Sequence, residues 1–170
     1  MYAQLIRLTA IVILGLLSLP STARAAVDCS VSTSPMAFGQ YDPDAGDLDS
    51  DSGQVTVSCR VVSSAPPFGG LISYSISMSP GLGGSYNNRR MQSGANMLRY
   101  NLYVSGIRSP AEVWGDGTSN TQTAPGSITL QSQLGDSRTR DHIVYGRIIG
   151  NQTSVAPGTY SDSILITLTF

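Results

Sequence analysis

The chain has 170 residues, with ten arginines, no lysine, eleven acidic residues and a formal net charge of −1; only 12% of residues are charged, against roughly 25% in an average soluble domain. With a sequence pI near 5.6 it lacks the basic face that nucleic-acid binders carry. Serine and threonine fill 38 positions and glycine 18, a composition of strands and turns rather than of long solvent-facing helices, so an all-β protein is expected.

From the N-terminus, Arg7 precedes an apolar run, Leu8 to Leu19, followed by Pro20 and the small-residue sequence Ala23-Arg24-Ala25. Residues 1–25 therefore read as a secretory signal peptide cleaved after Ala25. The run has 12 residues, short of the roughly 20 that span a bilayer, and no later segment is apolar enough to cross one. Asp28 stands where a small residue precedes a lipidated cysteine, which argues against lipid attachment at Cys29. The expected mature chain is one exported domain, residues 26–170. Cys29 and Cys59 are its two cysteines, and in an exported chain they are expected to form one disulfide.

Seven short strands are expected, at Val31–Phe38, Gln54–Val62, Leu71–Ser79, Met97–Ser105, Ser127–Leu134, His142–Ile149 and Thr159–Phe170. Proline and glycine clusters punctuate them, among them Pro66-Pro67-Phe68-Gly69-Gly70, Pro80 to Gly84 and Ala156-Pro157-Gly158. That number of strands in one domain fits a β-sandwich of immunoglobulin-like size. The last strand alternates most clearly. Ile164, Ile166, Leu168 and Phe170 share one face with Tyr160, and the chain then stops without a charged tail, leaving an apolar edge that invites pairing.

Other clusters carry less. Asp42, Asp44, Asp47, Asp49 and Asp51 lie within ten residues, and Asp47-x-Asp49-x-Asp51 imitates the start of a calcium loop. Ser52 stands at the turn-glycine position and Ser58 at the closing glutamate position, so a solvated acidic loop between the first two strands is the expected role. Gly135-Asp136-Ser137 with the single histidine, His142, superficially suggests a hydrolase, but such strings arise by chance in a serine-rich β protein, and no catalytic, metal-binding or cofactor-binding residues are assigned. Tyr74, Tyr86, Tyr103 and Trp114 read as core or sheet-face residues rather than a sugar platform.

Seven pieces in order carry a resemblance. Cys29 with Phe38-Gly39-Gln40-Tyr41-Asp42-Pro43, Gln54 to Cys59, Arg89-Arg90-Met91, Tyr100-Asn101-Leu102-Tyr103, Trp114-Gly115-Asp116-Gly117, Val144 to Ile148, and Pro157 to Asp162 together resemble the spore coat protein U domain family. That family looks like the subunits of archaic chaperone–usher pili. The resemblance implies an incomplete immunoglobulin-like sandwich that lacks its final strand. It also implies a structural, cell-surface subunit of a pilus or spore-coat-like layer, with an adhesive surface in some settings. Its partners would be a periplasmic chaperone, an outer-membrane usher and other subunits joined by donor-strand pairing. The Tyr160–Phe170 strand, with Tyr160, Ile164, Ile166, Leu168 and Phe170, would then border the complementation groove. Only Ala26, Val27 and Asp28 precede Cys29 after the expected cleavage, so the chain is expected to accept a strand rather than donate one. The alternative is a free secreted β-sandwich module that completes itself and binds glycan or calcium.

Overall fold

The computed structural model describes residues 26–63 and 70–170. The expected signal segment and the turn Pro66-Pro67-Phe68-Gly69 lie outside the described residues. Eight strands are present among those described: β1 (Val27–Ser34), β2 (Leu48–Val61), β3 (Gly70–Met78), β4 (Arg90–Ser93), β5 (Asn96–Tyr103), β6 (Ala124–Leu130), β7 (Ser137–Ile148) and β8 (Ile166–Thr169). They form a five-stranded sheet, ordered β1-β2-β7-β5-β4, facing a three-stranded sheet, ordered β6-β3-β8. All strand pairings are antiparallel. This is the all-β, immunoglobulin-like sandwich that the strand count implies.

Strict alternation builds the core. In β2 Val55, Val57, Cys59 and Val61 are at most 1% exposed, while Gln54, Thr56, Ser58 and Arg60 between them face outward. Tyr74, Ile76 and Met78 of β3 and Leu98, Tyr100 and Leu102 of β5 meet them from the neighbouring strands. Trp114 is 1% exposed, and its indole N–H donates to the Ile76 carbonyl (3.0 Å). Tyr74 and Tyr103 are buried as well, and Tyr86 is half-buried.

Cys29 and Cys59 stand directly opposite each other in the β1–β2 register, with Cα atoms 4.1 Å apart, and are joined by a disulfide. Since β1 lies at the sheet edge and has only β2 as a neighbour, this covalent link is its firmest attachment.

Several boundaries differ from the sequence reading. The first strand starts at Val27 and ends at Ser34, because Pro35 brings no N–H to a ladder. The fifth expected strand ends at Leu130 rather than Leu134: Gln131 N–H donates to the Asp136 carboxylate (2.7 Å) and closes a turn instead. β7 begins at Ser137, since the polar run Ser137–Asp141 pairs with β2 in spite of its charge. The four-residue β4 was not expected at all.

The largest change concerns the C-terminal strand. Its twelve expected residues do not form one strand. Ser161 bridges Gln92 at the edge of the five-stranded sheet through two backbone hydrogen bonds (2.8 and 3.1 Å). The chain then crosses to the other sheet, where only Ile166–Thr169 pair with β3.

Candidate functional site

Among the described residues, the three-stranded sheet ends at β8, which has β3 on one side and no strand on the other. Ser79 N–H donates to the Leu165 carbonyl (2.9 Å), which makes Leu165 a hydrogen-bonded position, and Thr167 and Thr169, opposite Ser77 and Ser75, follow it at intervals of two. Antiparallel alternation then turns the backbone groups of Ile164, Ile166 and Leu168 toward the unpaired side.

Across from that edge run residues 35–42, which belong to no ladder and bend at Gly39 (φ +79°). Met36 and Phe38 lie over the five-stranded sheet: a Cβ added at Gly146 would collide with Met36 Sδ and come within 2.7 Å of the Phe38 ring. Phe38 also meets Tyr100 edge-on, with ring centroids 6.0 Å apart. Glycine at 146 leaves the room into which these two side chains pack.

Between the two walls lies a trough with two lobes of ≈ 400 Å³ and ≈ 710 Å³ that share Met36, Phe38, Met91 and Tyr160. Its floor is the inner face of the large sheet, with Val55, Leu102 and Val144 under the first lobe and Leu98 and Ile148 under the second. Among the described residues, Asp162 is the single charged one in the lining.

Both walls are held in place by polar contacts. β2 carries a bulge between Ser50 and Gly53, where its pairing with β7 shifts register. The extra residue reverses the inward phase, so Leu48 and Ser50 face the interior before it and Gly53, Val55 and Val57 after it. The hydroxyls of Ser50 and Ser52 both donate to the Ala37 carbonyl (2.7 and 3.1 Å), and Ala37 N–H donates back to Ser52 Oγ (2.9 Å). On the opposite wall, the Asp162 carboxylate accepts from the Tyr100 hydroxyl (2.7 Å), from Leu82 N–H (3.0 Å) and from Ser163 N–H (2.7 Å). Burial, and next the bonded Asp162 carboxylate, push the Tyr100 phenol far above its ordinary pKa, so it stays a donor. Gly81, at φ +67°, makes room for Asp162, since a Cβ there would strike the carboxylate.

Behind this wall Arg89 is 0% exposed and donates to the carbonyls of Ser79 (2.8 Å) and Trp114 (2.7 Å) and to Asn101 Oδ1 (2.9 Å). Burial lowers its pKa, partly opposed by the Tyr100 and Tyr86 phenols and the Asp162 carboxylate. Ser79, fixed by this guanidinium, holds Leu165 through both its N–H and its hydroxyl.

Of the residues expected at a complementation groove, Tyr160, Ile164 and Ile166 line the trough. Leu168 is half-buried opposite Ile76, and Phe170 is 57% exposed beyond the end of β8; neither lines it. The sequence reading missed the whole second wall, Pro35 to Pro43, together with Met91 and Asp162. Pro35 was the available signal that the first strand breaks there.

The acidic cluster is not the solvated loop expected of it, because its second half is the start of β2. Asp49 accepts two hydrogen bonds from Arg147 (2.7 and 3.0 Å), which hold its carboxyl below the usual range, and it also neighbours Arg108 at 3.6 Å. Asp51 bonds Arg108, while Asp47 lies 3.4 Å from Arg147 and accepts Gly150 N–H (2.8 Å). Arginines take the place a cation would have had. Ser137 and His142 sit five residues apart on one extended strand, about 16 Å at 3.3 Å per residue, so they share no catalytic geometry. His142 Nε2 instead meets the Tyr74 hydroxyl (2.9 Å).

The Spore Coat Protein U domain matches residues 16–167 of the chain. No curated protein sequence matches it. Among solved structures, the chain is similar to one in the CsuC–CsuE chaperone–tip adhesion subunit pre-assembly complex from archaic chaperone–usher Csu pili of Acinetobacter baumannii. The identity is 20% and the TM-score 0.47, over 85% of this chain and 40% of that one. It therefore spans about two-fifths of that relative's length. It is also similar to the P pilus rod subunit PapA, at 17% identity and TM-score 0.42, over 83% of this chain and 97% of the other. With the domain pattern running through nearly the whole sequence, from the expected signal region to β8, the chain belongs to the spore coat protein U domain family.

Proposed function

We propose that this protein is a structural subunit of a pilus or coat-like layer at the cell surface, and that it accepts a β-strand from a partner in the trough between residues 35–42 and β8. The observation that carries this reading is the trough itself. Two walls, one of residues 35–42 and the other presenting the unpaired edge of β8, flank an apolar floor. A strand laid there gains main-chain hydrogen bonds for affinity and buries alternate side chains for specificity. The occupant would be supplied first by a periplasmic chaperone and then by a neighbouring subunit, with an outer-membrane usher exporting the assembly. Adhesion through the exposed surface is part of the same proposal. So is a single domain, residues 26–170, released from a signal peptide of residues 1–25.

Half-buried Ile164 and Ile166 forfeit part of the ~1.5–3 kcal/mol that full burial of such a side chain contributes. Filling the trough should recover several kcal/mol, a large share of a domain's typical ~5–15 kcal/mol. The test appends, after Phe170, a glycine-rich linker and a strand of about ten alternating valines and threonines, so that seating is intramolecular. The appended chain should melt roughly 10 °C higher than the native one, at about 2–4 °C per kcal/mol for a domain of this size. A native chain that melts cooperatively as a monomer, with Tm unchanged by the appended strand, would mean that the sandwich completes itself, and the reading would fall.

A further inference from the structure

The waist of the trough is built from thioethers. Met36 and Met91 border both lobes, and Met78 borders the first. Met91 is 8% and Met78 3% exposed, so what opening their sulfurs have faces the trough rather than the outer surface. A space of ≈ 400 Å³ is many times the ~30 Å³ share of one water, so the trough has room beside them for an oxidant of two heavy atoms. Met97, 37% exposed and away from the trough lining, is the natural comparison.

Resting on the reading of the trough as a strand acceptor, we propose that Met36 and Met91 make it an oxidation-sensitive site. It is open to hypohalous acids and peroxides while empty, shielded once a strand is seated, and closed to strands after oxidation. The step is a two-electron oxygen transfer to the sulfur lone pair. Hypochlorous acid is reduced to chloride with release of a proton, or hydrogen peroxide to water, and the thioether becomes a sulfoxide. A sulfoxide places a strong dipole where the occupant's apolar side chains would lie, with no donor in Val55, Leu102 or Val144 beneath it to satisfy the oxygen.

The experiment treats the native chain and the strand-appended chain with hypochlorous acid and measures sulfoxide at each methionine by mass spectrometry. Met36 and Met91 should oxidise in the native chain and be spared several-fold in the appended one, while Met97 oxidises alike in both. Equal oxidation of Met36 and Met91 in both chains, with the appended strand still raising Tm, overturns the proposal and leaves strand acceptance standing. An appended strand that neither raises Tm nor protects any methionine overturns both. Binding of the free valine–threonine peptide, followed by calorimetry, supplies the functional arm. Oxidised native chain should lose binding, whereas an oxidised Met36→Leu, Met91→Leu variant, close in volume and without the two sulfurs that border both lobes, should retain it. Loss of binding in both chains overturns the proposal.

Discussion

Replacing both Cys29 and Cys59 with alanine isolates what the disulfide contributes. The cysteines are 30 residues apart in sequence, and in the chain-entropy model a loop of that size removes about 3.6 kcal/mol of denatured-state entropy at 25 °C. Alanine is the right replacement, since Cys59 is 0% exposed and serine there would add an unsatisfied buried hydroxyl at a further ~1–3 kcal/mol. The expected loss is therefore about 3–5 kcal/mol in urea unfolding, with a steeper slope because the denatured chain without the crosslink exposes more surface, or roughly 8–15 °C in Tm. Location matters as much as size. β1 is attached to the sandwich through β2 alone, and residues 35–42 continue directly from it, so the loss should concentrate at that end. Hydrogen exchange should show β1 amides and Ala37 opening well before those of β3 and β5. A loss below about 1 kcal/mol, or exchange that rises uniformly through both sheets, would refute the argument that the disulfide secures the edge strand and the wall that follows it.

Ile166→Asp should abolish the Tm gain from the appended strand by placing an unpaired carboxylate in the apolar slot; retention of the gain would place the occupant elsewhere. Asp49→Asn should lower stability near neutral pH by less than about 1 kcal/mol, the pair being partly exposed and screened by solvent. Because the folded-state pKa of Asp49 is depressed, this contribution is present above the ordinary carboxylate pKa of about 4 and is lost as pH falls through the lower folded value; pH-dependent urea titrations of the two chains should converge in acid. His142, its pKa lowered by burial and by nearby Arg140, gives a second slope of the same sign, so His142→Phe should flatten stability against pH below about 6.5. Terminal sequencing of the exported protein should begin at Ala26, and a start within the apolar run would reject cleavage after Ala25.

What could be read from the residues followed from how local the signal was. β2 and β3 were legible because alternate valines and isoleucines can face a core in only one phase. The walls of the trough were not, because both are made by chain that leaves a sheet. Val31–Phe38 and Thr159–Phe170 each look like one long strand to a period-2 reading, yet the first leaves the large sheet after Ser34 and the second bridges it at Ser161 before pairing with β3 from Ile166. Only Pro35 hinted at a break. The bulge near Ser52 misled in the same way: its reversed phase made Leu48–Asp51 read as loop, and the arginines that satisfy its aspartates come from residues 108 and 147, far along the chain. Arg89 could not have been placed in the core from sequence, since its acceptors are mostly backbone carbonyls brought together by the fold.

The two walls come from opposite ends of the chain, residues 35–42 and 160–166, with every floor strand encoded between them. During synthesis the first wall emerges early but has nothing facing it until residues 160–166 have arrived. A chain broken off anywhere before Tyr160 can still form much of the large sheet, yet it has no trough. The presence of the trough thus reports that the two distant segments of the fold have both been made and have met.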